Sequence, residues 1–309
     1  MAKRISLALG GGGTKGFAHI GVIQQLEKEG FEIRAIAGTS AGGIVGALYS
    51  SGLSIHEIID LSKQMNFSDI FHRTSEDGPS LLGLGGLYKQ LDQVLGNIDF
   101  NDLKIKFATV AVDTNLGTPV ILNQGKVVDA VQATTAVPGI FPAKKIGDLN
   151  LVDGGVLDPV PVTTARWLNP DIPVIAINLI PPLDKWPETP RMDIPPFVPI
   201  PQFIVDQLNQ FRLGQAMHVF INSMEIMMNM VAELKLKVDK PDVLIRPDVF
   251  NYTMFDKVDI DEMIKIGEEA VKKSADELNK LFDMQNRVYR WMRVAKKPGR
   301  TIAEFKTHQ

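Results

Sequence analysis

The pentapeptide Gly38-Thr39-Ser40-Ala41-Gly42 constrains this chain more than any other stretch. It stands between an apolar run at residues 33–37 and a small-residue run at 41–50 that reads as a helix. A G-x-S-x-G pattern where a strand passes into a helix is a sharp turn that exposes a serine hydroxyl at the sheet's carboxyl edge. The glycines allow the turn and keep bulk away from the hydroxyl, and the helix N-terminus behind it favours negative charge. The pattern is also common in helix-start loops, so its meaning rests on what the rest of the chain places around it.

Residues 5–9 form a short apolar run leading into Gly10-Gly11-Gly12-Gly13-Thr14-Lys15-Gly16. A helical pattern follows, with Phe17, Ile20, Ile23 and Leu26 on one face and Gly30 as its stop. Strand, glycine loop and helix, closed by a strand at 33–37, predict a βαβ unit. Gly11-x-Gly13-x-x-Gly16 matches the dinucleotide fingerprint, but that reading needs an acidic residue after the second strand, where Gly38-Thr39-Ser40 stands. A P-loop is excluded as well, because Lys15 is followed by Gly16 where serine or threonine is required. What the glycines retain is a row of unshielded backbone N–H groups able to converge on an anion.

Gly42, Gly43 and Gly46 in the helix after Ser40 predict close approach of another backbone. Residues 54–65 read as a helix with Ser54 and Glu57 spaced as a capping box, and 66–86 as a loop. Strands are expected at 107–112 and 119–122, then a helix at 126–136 ended by Pro138. Asp153-Gly154-Gly155 follows the apolar pair Leu151-Val152 in a tight loop where little blocks approach to the carboxylate; a plain turn is the simpler alternative. The apolar run 174–180 reads as a central parallel strand. Prolines make 181–201 a surface excursion. A helical stretch at 202–237 carries Met217, Met224, Met227, Met228 and Met230, a pattern that suits either core or an adaptable binding surface. A last strand at 243–245 and an amphipathic helix at 260–281 complete a domain spanning 1–281. A basic tail or helix at 282–309 interleaves arginines and lysines with Tyr289, Trp291 and Met292, which suits an anionic membrane surface.

Zero cysteines exclude disulfides, thiolate zinc and a cysteine nucleophile, and a net charge of -3 offers nucleic acid no overall attraction. The start has too short an apolar run for a signal-peptide core, and no stretch is long enough to span a bilayer. The expectation is a cytoplasmic chain whose membrane contact, if any, is peripheral. A nucleophilic serine needs a base and oxyanion donors. None of His19, His56, His72, His218 and His308 lies in a strand-end loop after an acid, where an ordinary triad would need it.

Taken together, the glycine loop at 11–16, the elbow at 38–42 and Asp153-Gly154-Gly155 make the sequence resemble the patatin-like phospholipase family, as do 17–22 and 136–142. The resemblance covers about 5–180 well and extends more weakly to about 281. It implies a three-layer α/β/α fold with a mainly parallel central sheet. It also implies a serine–aspartate dyad, with Ser40 the nucleophile, Asp153 the base, and the amides of Gly11, Gly12 and Gly13 the oxyanion donors. Gly16, Gly38, Gly42, Gly154 and Gly155 complete the motifs. Neither metal nor cofactor is implied. Gly10 stands where some members have aspartate, and Thr134-Thr135 where many have serines. The implied substrate is a phospholipid or lysophospholipid ester, with acyl transfer and non-catalytic lipid binding as alternatives, and a homo-oligomer is compatible. An ordinary carboxylate is a weak base, so burial is expected to raise Asp153 toward the working pH.

Overall fold

The computed structural model describes residues 2–64, 70–73, 78, 80–186, 212–284, 286 and 297–306. Its centre is a parallel run of strands. Strands β1 (Lys3–Leu9) and β2 (Phe31–Gly38) pair in parallel around helix α1 (Ala18–Lys28), as the βαβ reading expects. Helix α2 (Ala41–Ser50) leaves directly from the end of β2, and α3 (Ile55–Gln64) follows. The Ser54 capping box is present: its N–H donates to Glu57 Oε2 at 2.8 Å, and Glu57 N–H to Ser54 Oγ at 3.3 Å. A helix the sequence reading left unassigned, α4 (Gly85–Leu95), precedes β3 (Lys106–Asp113), β4 (Thr118–Leu122) and helix α5 (Val127–Thr134).

The hairpin β5 (Lys144–Ile146) and β6 (Leu149–Asp153) comes next, then α6 (Val162–Leu168) and β7 (Val174–Ile177). The long helix α7 (Arg212–Asp239) leads to β8 (Val243–Ile245), α8 (Ile260–Lys273) and α9 (Ala275–Lys280). The single helix expected at 260–281 is therefore two. It breaks at Ser274, whose Oγ donates to the Ala270 carbonyl at 3.0 Å and so competes with the helical ladder.

The sheet runs β5-β6-β3-β2-β1-β7-β8, with β4 on β3. From β3 through β8 it is parallel, and β4, β5 and β6 make its antiparallel end. The two faces differ in depth. Ile5, Leu7 and Leu9 of β1 point into the larger core, with α1, α2 and the helices around them. Ala8 and Ala37 point to a thinner layer with Val162 and Ala165 of α6 and Leu236 of α7. Alternation of large and small residues on buried strands thus sets a three-layer α/β/α stack.

Part of the basic tail or helix expected at 282–309 is described, and there it packs on the domain. Strand β9 (Arg300–Thr301) pairs in parallel with β4, and Ile302, in the terminal helix α10 (Ile302–Lys306), is buried against the same core as Val120 and Leu122. Lys297, one of the expected membrane cations, pairs instead with Glu304. Only two residues of β9 pair, too few to leave a periodic signal. Arg287, Tyr289, Arg290, Trp291, Met292, Arg293 and Lys296 lie outside the described residues, as do 187–201 of the proline-rich stretch and 202–211 of the expected helix.

Candidate active site

Two strand ends meet at one residue of β3. Strand β2 pairs with the first half of β3 and ends at Gly38 opposite Thr109. Strand β6 pairs antiparallel with the second half and ends at Asp153 opposite Ala111. Because β4 occupies the other edge of β3 over 109–113, β2 and β6 share one edge, and β3 passes from one to the other at Val110. The two chains run toward each other and both turn out of the sheet there. That fork is what brings the serine after β2 beside the aspartate at the end of β6.

Ser40 sits at the turn with φ 53°, a left-handed conformation costly for any residue but glycine. The glycines beside it are required by close backbone approach. A Cβ on Gly38 would stand 2.4 Å from the Gly42 carbonyl oxygen, and one on Gly42 2.2 Å from that of Leu9. Three contacts hold the strained turn. Thr39 N–H donates to the Leu9 carbonyl at 3.0 Å, Thr39 Oγ1 donates to the Asp158 carbonyl at 2.8 Å, and Ser40 N–H donates to Thr134 Oγ1 at 3.0 Å. Thr134 Oγ1 in turn donates to the Val110 carbonyl at 2.6 Å, which ties the elbow to the fork. Nothing in the sequence pattern assigned Thr134 this role. Its only signal was that a hydroxyl residue stands at that position.

Asp153 is buried, and its Oδ1 accepts the Gly155 N–H at 2.7 Å. Burial raises its pKa to about 6, against the lowering pull of the Ser40 hydroxyl and the Gly155 amide. The Asp-Gly-Gly turn is thus present, and Asp153 also lines a cavity that it shares with Ser40. Gly154 leaves the room this needs, since a Cβ there would stand 2.3 Å from the Val110 carbonyl oxygen.

The glycine loop runs alongside, and a Cβ on Gly11 would lie 3.3 Å from that of Ser40. One of the three expected donors is already engaged: Gly11 N–H donates to the Pro159 carbonyl at 3.0 Å. The amides of Gly12 and Gly13 have no acceptor among the described residues. Gly13 has φ +59°, and Met254 backbone fills the place a side chain would take. His19 supports the loop from behind, its Nε2 donating to the Gly10 carbonyl at 2.8 Å. Burial lowers its pKa to about 4, so it stays neutral and structural.

Ser40 opens on two cavities. One is apolar, lined by Ile44, Leu48, Leu87, Leu91, Phe141 and Phe255 among others, with about 1040 Å³ of empty space including its open mouth. The other holds Gly12, Lys15, Asp153, Glu225 and Asn229 and is more polar. Lys15 and Glu225 are each pushed toward neutrality by burial and drawn back toward charge by the other. Below Asp153, Asp158 is raised to about 7 by burial while Lys235, 3.2 Å away, pulls it down.

The patatin-like phospholipase family model matches residues 7–166. Over 181 residues the chain is 35% identical to an uncharacterized NTE family protein of Mycobacterium bovis, covering 58% of this chain and 49% of that protein. It is 28% identical over 173 residues to a lysophospholipase of Candida albicans, covering 53% of this chain and 12% of that one. The chain therefore spans about half the length of the mycobacterial relative. The structure of VipD from Legionella pneumophila aligns at a TM-score of 0.49 with 12% identity, over 90% of this chain and 67% of that one. Among the described residues, no helix is long and apolar enough to cross a membrane.

Proposed function

The chain belongs to the patatin-like phospholipase family, and on that premise we propose that it hydrolyses acyl esters of phospholipids or lysophospholipids through a Ser40–Asp153 dyad. One observation carries the reading. The strained serine and a buried carboxylate converge at the Val110 fork, at the junction of an apolar cavity and a more polar one. An acyl chain has room in the apolar cavity, and the ester carbonyl then falls at Ser40. Ser40 Oγ attacks that carbonyl and its proton passes to Asp153. The oxyanion is met by the Gly12 and Gly13 amides, each well-placed donor of this kind being worth about 3 kcal/mol. Asp153 gives the proton to the departing alcohol, and the acyl group stays on Ser40. Water then attacks the acyl-enzyme with Asp153 again taking the proton; the bond from the acyl carbon to Ser40 Oγ breaks, the fatty acid leaves, and Asp153 returns the proton to Ser40 Oγ.

A raised pKa suits this work. A carboxylate at about 6 is a stronger base than an ordinary one and is still ionised near neutrality. Gly11, Gly16, Gly38, Gly42, Gly154 and Gly155 serve the site through space and turn geometry, with Gly11 spent on holding the loop to Pro159. The test is product analysis by mass spectrometry on phospholipid and lysophospholipid substrates, with labelling by a fluorophosphonate probe. Wild type should release free fatty acid and take the label at Ser40, and Ser40→Ala should do neither. Fatty-acid release that survives Ser40→Ala would refute the assignment.

A further inference from the structure

Over residues 219–238, helix α7 is apolar on two opposite faces, and among the described residues only one of them is covered. Its inner face sends Ile221, Met224 and Met228 to the cavity holding Ser40 and Asp153, while Ala232 and Leu236 are buried below. Its outer face carries Val219, Phe220, Ile226, Met227, Met230, Leu234 and Val238, each between 44% and 77% exposed. At about 100° per residue these side chains fall within an arc of roughly 120° and run about 28 Å along the axis. Between 219 and 238 the other residues in that arc are Ser223 and Lys237. Ser223 Oγ donates to its own helix at the Val219 carbonyl, which removes its need for water. No carboxylate falls in the arc; Glu225, Glu233 and Asp239 point elsewhere around the helix. A helix apolar all round belongs in an interior, so one with an open apolar stripe lacks an occupant.

We propose that this stripe is the surface through which the protein lies on a lipid bilayer. The proposal rests on the lipid-ester reading above. Continuity with the site supports it: a bilayer on the outer face is one helix diameter, about 10 Å, from the cavity on the inner face. Charge does not oppose it, since between 219 and 238 the stripe carries Lys237 and no acid, and an anionic lipid surface attracts a cation. A second copy of the chain fits less well. A stripe of about 28 by 10 Å offers roughly 280 Å², well short of the ~800 Å² per partner of a stable interface. Membrane contact is thereby assigned to the wall of the active site.

The experiment uses the full chain with Ile226→Ser, Met230→Ser and Leu234→Ser combined, none of which lines either cavity. Co-sedimentation with phosphatidylcholine vesicles containing phosphatidylglycerol should weaken about tenfold or more. Hydrolysis of vesicle phospholipid should fall in parallel, and hydrolysis of monomeric p-nitrophenyl butyrate should stay within about twofold of wild type. Unchanged vesicle binding overturns the proposal, and so does a change from dimer to monomer on size exclusion. Binding is also measured in Ser40→Ala, so absence of hydrolysis by wild type would sink the functional reading while leaving the stripe tested. Should the triple variant fail to fold, the cysteine-free sequence allows a second measurement. Met230→Cys carrying a bimane label gives a single probe, whose emission should shift to the blue with vesicles; an unchanged spectrum overturns the proposal.

Discussion

Asp153 and Asp158 share one loop and one physical problem, and they solve it differently. Both are buried, and burial raises both, to about 6 and about 7. Among the described residues, Asp153 Oδ1 accepts the Gly155 amide while Oδ2 has no hydrogen-bond partner, and the residue lines a cavity with Ser40. Asp158 is closed in, with Lys235 at 3.2 Å, and its carbonyl holds Thr39 while that of Pro159 holds Gly11. The first is a carboxylate left free to exchange a proton. The second is a strut that fixes the elbow and the glycine loop against each other. A raised pKa alone therefore does not identify a base; the neighbour and the opening do.

The largest expected effect separates the two acids by activity. Asp153→Asn should lower kcat by about 10²–10⁴ without loss of stability. The sign follows from the shift: a carboxylate raised above its unfolded value stabilises the fold only while protonated, and that contribution is lost as pH rises through about 6. An amide at 153 never ionises, so the melting temperature of the variant at pH 8 should equal or exceed that of wild type. In wild type, kcat/KM should rise about tenfold per pH unit below a midpoint near 6 and level off above it. A midpoint near 4 would remove burial from the explanation.

The second effect is on stability and is carried by Asp158. Lys235→Met leaves that carboxylate buried without its cation. At pH 8 this should cost about 2 kcal/mol in urea unfolding, less than for a fully buried pair because Lys235 keeps 30% exposure. Asp158 is protonated well below its pKa of about 7, so the cost should shrink toward zero at pH 5. A cost independent of pH would mean that lost packing, or the second pair that Lys235 makes with Asp239 at 3.3 Å, is responsible, and not the Asp158 charge.

How much of this could be read from the sequence follows from the range of each interaction. The elbow, the glycine loop and the parallel strands are local: continuous apolar runs and glycine spacing specify them within ten residues or so. Burial of Asp153 was expected only from chemistry, because an ordinary carboxylate is a weak base for the dyad that the resemblance implied. The Val110 fork was not legible. It depends on β2 and β6 sharing an edge of β3, a matter of register between segments far apart in the chain. For the same reason the commitment of the Gly11 amide to Pro159 and of Thr39 to Asp158 left no mark on any motif. The outer stripe of α7 was visible as methionines, but only burial tells a covered face from an open one.

Thr134 gives the smallest and sharpest test of the comparison, because it holds the elbow to the fork by geometry alone and carries no charge. Its hydroxyl accepts the Ser40 N–H and donates to the Val110 carbonyl, so it joins the strained elbow to the fork. Thr134→Val preserves shape and leaves both buried backbone groups unpaired, at a cost of about 1–3 kcal/mol. Ser40 at φ 53° would then be less firmly held, and kcat should fall about tenfold with KM and the pH midpoint near 6 unchanged. Thr134→Ser keeps the hydroxyl and loses only a methyl group, so it should restore kcat to near the wild-type value. If the serine variant is as slow as the valine one, then the methyl group packed against Gly43 supports the elbow, and the hydroxyl bridge does not.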